Sequence, residues 1–349
     1  MAGRGVSSSL ARAIPACPVI LFLMAFAAGQ GHAVDGPLAD QIKAMRQIVA
    51  MKAETRIETD SHVTGMQGAK RVALTTKGAN YLYWEQSEAA AGANGAKGGG
   101  GGDKKPGGDA KPSGLMVNFT RKGCARIDLD QGVMHIKRAA PGGGAKGKDQ
   151  PAPDRIGWGA NTAPLVLQPF LFLGNDGKND SACRFDWADL WDDERLAAQQ
   201  RALIKIQRDD GTGGVWLVVP LSDVVPFADA AGLETKDLGR SCEIHVARAP
   251  EVPGMRVVTE VRYLRSGTPA PMAVITFTYR MATGEGIPAP GIPLVAKCRC
   301  VDADGHVFRS GETTALTIGQ PVKDAELEID PALARDLFDV SSGLRIEPE

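Results

Sequence analysis

The alternation of apolar and polar positions divides the chain into one helix and a long series of strands. In "PLADQIKAMRQIVAMKAE" (37–54), Leu38, Ile42, Met45 and Val49 recur at i, i+4, i+7 and i+11, a single stripe of an amphipathic helix. Lys43, Arg46 and Gln47 fall on its opposite face. Beyond this segment the period becomes two. "RVALTTKGANYLYWEQ" (71–86) predicts two strands joined by a hairpin at Lys77-Gly78. "LMVNFTRKGCARIDLDQGVMHIKRA" (115–139) predicts strands broken at Lys122-Gly123 and Gln131-Gly132. Further strands are predicted at 202–209, 214–221, 241–249, 255–266 and 272–281, within 293–312, and at 313–319. In 255–266, Met255, Val257, Thr259, Val261 and Tyr263 share one face, and Arg256, Glu260 and Arg262 the other. That pattern suits an antiparallel sheet with one buried and one wet face.

Short helical turns are predicted in three places. "NTAPLVLQPFLFLG" (161–174) is the most apolar stretch after the N-terminus, with Asn161 or Thr162 as cap, Pro164 near the start and Pro169 limiting it. "DWADLWDDE" (186–194) sets Trp187 and Trp191 at i, i+4, and Asp330-Pro331 opens "PALARDLF". No repeat period and no alternation of strands with long helices is visible, which disfavours propellers, solenoids and parallel α/β sheets. The expected fold is α+β, mostly β: a single curved antiparallel sheet, an incomplete barrel, wrapped over an N-terminal helix and short central helices.

Two tracts interrupt the strands, "GAKGGGGGDKKPGGDAKPSG" (95–114) and "PGGGAKGKDQPAPD" (141–154). The strand group between them is too small to stand alone. Residues 34–87 are close to the size at which a core becomes marginal. Lengthening a turn costs only about 0.6 kcal/mol per doubling. The economical reading is one domain over 34–349, with disordered loop insertions at about 88–114 and 140–155.

The N-terminus changes the cellular picture. Arg4 and Arg12 precede "VILFLMAFAAG" (19–29), followed by small residues that fit cleavage after Gly29 or Ala33. This predicts a signal peptide over 1–33 and an exported, periplasmic protein with no stable transmembrane anchor after cleavage. Charge is balanced, 40 Lys+Arg against 41 Asp+Glu, so no nucleic-acid partner is expected. Of six cysteines, Cys124, Cys183, Cys242, Cys298 and Cys300 survive cleavage. The odd number leaves at least one thiol unpaired within the chain, and a pair could form among Cys242, Cys298 and Cys300.

Candidate chemistry is sparse. The acidic group Asp186, Asp189, Asp192, Asp193 and Glu194 could hold a cation or act as an acid/base pair, but acids at the start of a helical turn are also favoured by its dipole. "DADG" (302–305) lacks the remaining ligands of a calcium loop and reads as a hairpin turn. His62, His135, His245 and His306 form no metal-binding motif, and Cys242 and His245 point to opposite faces of a strand. No nucleophile elbow, phosphate loop, catalytic residue, metal site or cofactor is expected. The run 161–174 carries more apolar surface than one face of a short helix can hide. It is either a plug of the core or the wall of an apolar ligand cavity.

The order of elements resembles a known family. A helix leads into "AETRIETDSHVTGMQGAKRVALTTKGANYLYWE" (53–85), which resembles the opening of the periplasmic lipoprotein carriers, the LolA/LolB-like proteins and their outer-membrane lipoprotein-sorting relatives. "NTAPLVLQPFLFLG" resembles that family's central apolar helix. "VWLVVPLSD" (215–223), "MRVVTEVRYLRSG", "MAVITFTYR" and "DPALARDLFDV" (330–340) are similar to its later strands and terminal motif. The likeness spans most of 36–340, in a chain enlarged by the two tracts and by long 224–240 and 281–293 connections. It implies an incomplete barrel with an apolar cavity for acyl chains. The implied role is non-enzymatic binding of a lipid or acylated protein, with an envelope protein as partner. The cavity would be lined by Met45, Leu165, Leu167, Phe170, Phe172 and Trp191. The alternatives are a structural or interaction module with a filled core, and a hydrolase using the 186–194 acids.

Overall fold

The computed structural model describes residues 36–62, 65–88, 113–138, 164–174, 185–194, 206–220, 238–284 and 289–346, with scattered residues at 196–200 and Ile287. The predicted signal peptide, Cys183 and nearly all of the two Gly/Lys tracts lie outside them.

Among the described residues the chain forms the helix α1 (Ala39–Arg46) and fifteen strands. These are β1 (Ala50–Ser61), β2 (Met66–Lys77), β3 (Asn80–Glu88), β4 (Leu115–Thr120), β5 (Gly123–Asp128), β6 (Val133–Arg138), β7 (Ile206–Asp209), β8 (Val215–Pro220), β9 (Leu238–Arg248), β10 (Arg256–Arg265), β11 (Pro271–Ala282), β12 (Ile292–Asp302), β13 (Val307–Ile318), β14 (Asp336–Asp339) and β15 (Leu344–Ile346). All belong to one open sheet in the order β15-β14-β6-β5-β4-β3-β2-β1-β13-β12-β11-β10-β9-β8-β7. Every pairing is antiparallel except β14 on β6. The expected mostly-β, single antiparallel sheet is the observed one.

β1 is the seam. It pairs with β2 on one side and β13 on the other, so it joins the N-terminal meander to the C-terminal one. The hairpins read from Lys77-Gly78, Lys122-Gly123 and Gln131-Gly132 stand where the sequence sets them. β3 and β4, which flank the first tract, are hydrogen-bonded neighbours, with Tyr81 opposite Phe119. At the re-entry point only glycine fits: Gly114 has φ +102°, and a Cβ there would lie 2.0 Å from the Glu85 carbonyl oxygen.

Several expectations need correction. The helix is shorter than 37–54: it stops at Arg46, and Val49 is 74% exposed rather than on the buried stripe. The Val49 carbonyl accepts a bond from Gly78 N (2.8 Å), and the β-branched Ile48-Val49 pair favours the extended chain that begins at Ala50. Residues 313–319 are not a separate strand, because β13 runs unbroken from Val307 to Ile318. "PALARDLF" is helical only over Pro331–Leu333, and Leu337 and Phe338 lie in β14. The 165–174 run is a 3-10 helix, since Pro169 supplies no N–H and its ring obstructs an α turn. In β10 a bulge between Val258 and Glu260 turns both Val257 and Val258 inward, which strict alternation does not anticipate.

The sheet has two covered faces. On one, α1, the Leu165–Gly174 segment and the Trp187–Trp191 turn pack on Ile57, Val72, Tyr83, Ile244, Val261 and Phe277, among others, to build the main core. On the opposite face, at β4–β6, Ile127, Met134 and Met116 are covered by Ile329 and Leu337 from the C-terminal segment. That segment also seats Val322 and Leu327 against Ala50. We call it the strap.

Candidate functional site

The main core is organised around α1. Gln41 is buried on that helix. Its Nε2 donates to the Tyr279 hydroxyl (3.2 Å), and its Oε1 accepts from Val258 N (3.1 Å). The Tyr279 hydroxyl donates to the Val258 carbonyl (2.6 Å). The backbone groups of the β10 bulge therefore have side-chain partners, as buried polar groups require. Burial pushes the Tyr279 hydroxyl pKa up. At the far end of α1, Arg46 donates to the Leu190 carbonyl and pairs with Asp193, which ties the helix to the Trp187–Trp191 turn.

That turn accounts for two of the acids, Asp186 and Asp189. Asp186 caps it, its Oδ1 accepting from Ala188 N (2.8 Å) and Asp189 N (3.3 Å), while Asp189 Oδ2 accepts from Asp186 N (2.8 Å). The Tyr81 hydroxyl also donates to Asp186 (3.3 Å), and Trp187 Nε1 donates to the Gly78 carbonyl (2.7 Å). This reciprocal capping box gives Asp186 and Asp189 a structural part.

The residues expected to line an apolar site all lie in or against the main core. Leu165, Leu167, Phe170 and Met45 are buried in the main core, and Phe172 and Trp191 pack against it half-buried. Phe170 lies 5.7 Å from Phe185, and Trp191 5.2 Å from Trp187, ring centre to ring centre. The segment rests on β12 and β13. Gly311 makes the approach close: a Cβ there would meet Leu165 Cδ1 at 3.3 Å and Cys298 Sγ at 3.0 Å. β13 is notched at the point where the segment enters.

Cys124, Cys242, Cys298 and Cys300 are buried. Cys242, Cys298 and Cys300 are unbridged, so the pair considered among them does not form. Burial pushes Cys242 up to about 12. Cys300 shares a hydrogen bond with Cys298 that lowers the Cys298 pKa and raises its own. Burial lowers the pKa of the Arg309 guanidinium beside them, against the pull of both thiols, Tyr83 and Glu85.

Two histidine groupings went unread in the sequence because each is assembled across strands. On the wet face, His245 Nε2 lies 2.8 Å from Asp210 Oδ2 and His245 Nδ1 lies 3.0 Å from Thr259 Oγ1. Trp216 stacks on that imidazole at 4.4 Å and Arg262 sits 4.2 Å over Trp216. The His245 bond, followed by the Thr212 backbone bond, holds the Asp210 carboxyl below its ordinary range. Cys242 is buried on the other face, as the i, i+3 spacing predicts. The second grouping is His62, Asp302 and His306, at the end of the β1–β13 seam.

No family model and no curated protein matches the chain. Among solved structures it is similar to a DUF1329 family protein from Desulfovibrio piger: 11% identity, TM-score 0.37, 82% of this chain and 93% of that one. It is similar to a conserved protein from Thermus thermophilus: 7% identity, TM-score 0.30, 87% and 96% covered. It is also similar to a Vibrio parahaemolyticus domain ascribed to outer membrane lipoprotein sorting: 7% identity, TM-score 0.37, 83% and 94% covered.

Proposed function

We propose that the chain is an exported, non-enzymatic binding protein for a lipid, the acyl chain of a lipoprotein or another apolar ligand, which takes the place of the Leu165–Gly174 segment on the apolar face. The observation that carries this reading is the segment itself. It is ten residues of 3-10 helix, apolar but for Gln168, Pro169 and Gly174. Such helices have poorer hydrogen-bond geometry than α-helices and rarely run beyond three or four residues. An apolar element that covers a sheet without being a strand of it can be replaced by an acyl chain at little cost in backbone bonds. Each buried CH₂ of the incoming chain contributes about 0.8 kcal/mol. Leu171 and Phe172, left half-buried, mark the rim at which a ligand would begin to enter. Release then requires a membrane or a partner protein to compete for the chain.

Delipidated protein should bind a fluorescent fatty acyl probe saturably, and Leu167→Asp or Phe170→Asp, which loosens the segment that the ligand replaces, should tighten binding while far-UV circular dichroism is retained. No saturable binding at any probe concentration refutes the reading. One observation favours the rival, a filled-core envelope module: Leu165, Leu167 and Phe170 are each 0% exposed. That rival predicts no probe binding and a normal function after Phe170→Leu.

A further inference from the structure

We propose that His62, Asp302 and His306 bind one divalent cation of the zinc, nickel or copper class and so clip the β1–β13 seam. The β1–β13 register runs Glu58 to Ser310 and Thr59 to Arg309. Carried past the last pair, the same register sets His62 opposite His306, although they are 244 residues apart in sequence. Their Nδ1 atoms are 2.9 Å apart, with the rings edge-to-face at 4.2 Å.

Asp302 completes the group from the end of β12, where the β12–β13 turn begins. Its Oδ1 accepts from Asp304 N (3.0 Å) and His306 N (2.9 Å), which fixes both the turn and the carboxylate plane. Its Oδ2 is thereby aimed at the histidines, 3.8 Å from His62 Nε2 and 4.0 Å from His306 Nδ1. Those separations exceed hydrogen-bond length. One ligand atom from each of the three residues can be chosen so that all lie within 4.8 Å of one another. A cation among them would use all three lone pairs at once. Two ligands at about 2.0–2.1 Å on a tetrahedral metal lie about 3.3 Å apart, a few tenths of an ångström more than the 2.9 Å between the two Nδ1 atoms.

The donor set decides the class. Two imidazoles and one carboxylate suit zinc, nickel or copper, whereas calcium and magnesium favour oxygen donors throughout. Three protein ligands leave the remaining positions to water. The Asp302 carboxylate is nearly buried while the two imidazoles are more open, at 11%, 49% and 38% side-chain exposure for Asp302, His62 and His306, so an ion can reach the site from solvent. A cation here would tie the end of β1 to the β12–β13 turn and stabilise the folded state by mass action.

The test is calorimetric titration of the chelator-stripped full chain with zinc, nickel and copper chlorides. The proposal expects one ion per chain, at least tenfold weaker binding in His62→Ala and in His306→Ala, and unchanged binding in His135→Ala and His245→Ala. Asp302→Asn should also weaken binding, since its amide oxygen can still accept the turn N–H groups while the anionic ligand is gone. No bound ion in the parent, or an unchanged isotherm in the His62→Ala/His306→Ala pair, overturns it. If the double variant does not fold, copper electron paramagnetic resonance on the single variants decides: each should lose the coupling of one nitrogen, and identical spectra count against the site.

Discussion

The two covers of the sheet are built in different ways. The strap enters the sheet: β14 pairs with β6 and with β15, and Arg335 N and Asp336 N both donate to the Gly132 carbonyl. Asn118 bolts it down, its Nδ2 donating to the Leu327 carbonyl (2.9 Å) and its Oδ1 accepting from Ala125 N (2.8 Å). Around it run exposed ion pairs, Lys77–Asp324 (2.6 Å), Lys122–Glu328 (2.5 Å) and Lys52–Glu326. Among the described residues the Leu165–Gly174 segment is no strand of the sheet and meets it largely through apolar side chains. A cover joined by backbone pairing is part of the fold, whereas one held by hydrophobic contact can be exchanged for another apolar body. The contrast underlies the proposal that the segment's face is the ligand face.

The largest effects should separate the covers by function rather than by stability. Phe170→Ala is expected to cost about 3–5 kcal/mol in denaturant titration, and Leu337→Ala about 2–5 kcal/mol. Only Phe170→Ala should tighten acyl-probe binding, because only it opens space on the apolar face. Equal probe affinity in the two variants would erase the distinction.

A smaller effect isolates the bolt. Asn118→Ala strands the Leu327 carbonyl and the Ala125 N–H and should cost about 1–3 kcal/mol. Amide exchange should quicken over 324–337 and stay unchanged over 165–174.

The smallest effect is that of pH on the strap. The Lys77 bond holds the Asp324 carboxyl below its ordinary value, and the Lys52 bond does the same for Glu326. A depressed folded-state pKa gives stability that is present above the unfolded value and is lost as pH falls through the folded one. Strap amides should therefore lose protection, measured against the intrinsic exchange rate at each pH, as pH drops below the ordinary carboxylate range near 4, and the loss should be shallow because these pairs are exposed.

What the sequence disclosed follows from the range over which each signal acts. Hairpins at Lys77-Gly78 and Gln131-Gly132 are local, and a turn dipeptide between alternating strands is enough to place them. The apolar segment was legible as a core-facing stretch, and Trp187 with Trp191 as a helical turn. The end of α1 was not, because Val49 is drawn into the sheet by Gly78, a partner that hydrophobic periodicity does not register. The inward turn of Val258 depends on a bulge, and the anchoring of Gln41 depends on that bulge in turn. His62 and Asp302 carry no local motif and meet only because β1 lies beside β13. Site residues brought together by strand register leave no trace in their spacing.

The central claim, that the Leu165–Gly174 cover is exchangeable while the strap is not, is tested most directly by native-state hydrogen exchange with and without a saturating acyl probe. The account predicts that amides of 165–174 open at a free energy well below global unfolding and change their exchange when the probe binds, while β14 amides keep theirs. Exchange of 165–174 only through global unfolding, with no response to the probe, would contradict it.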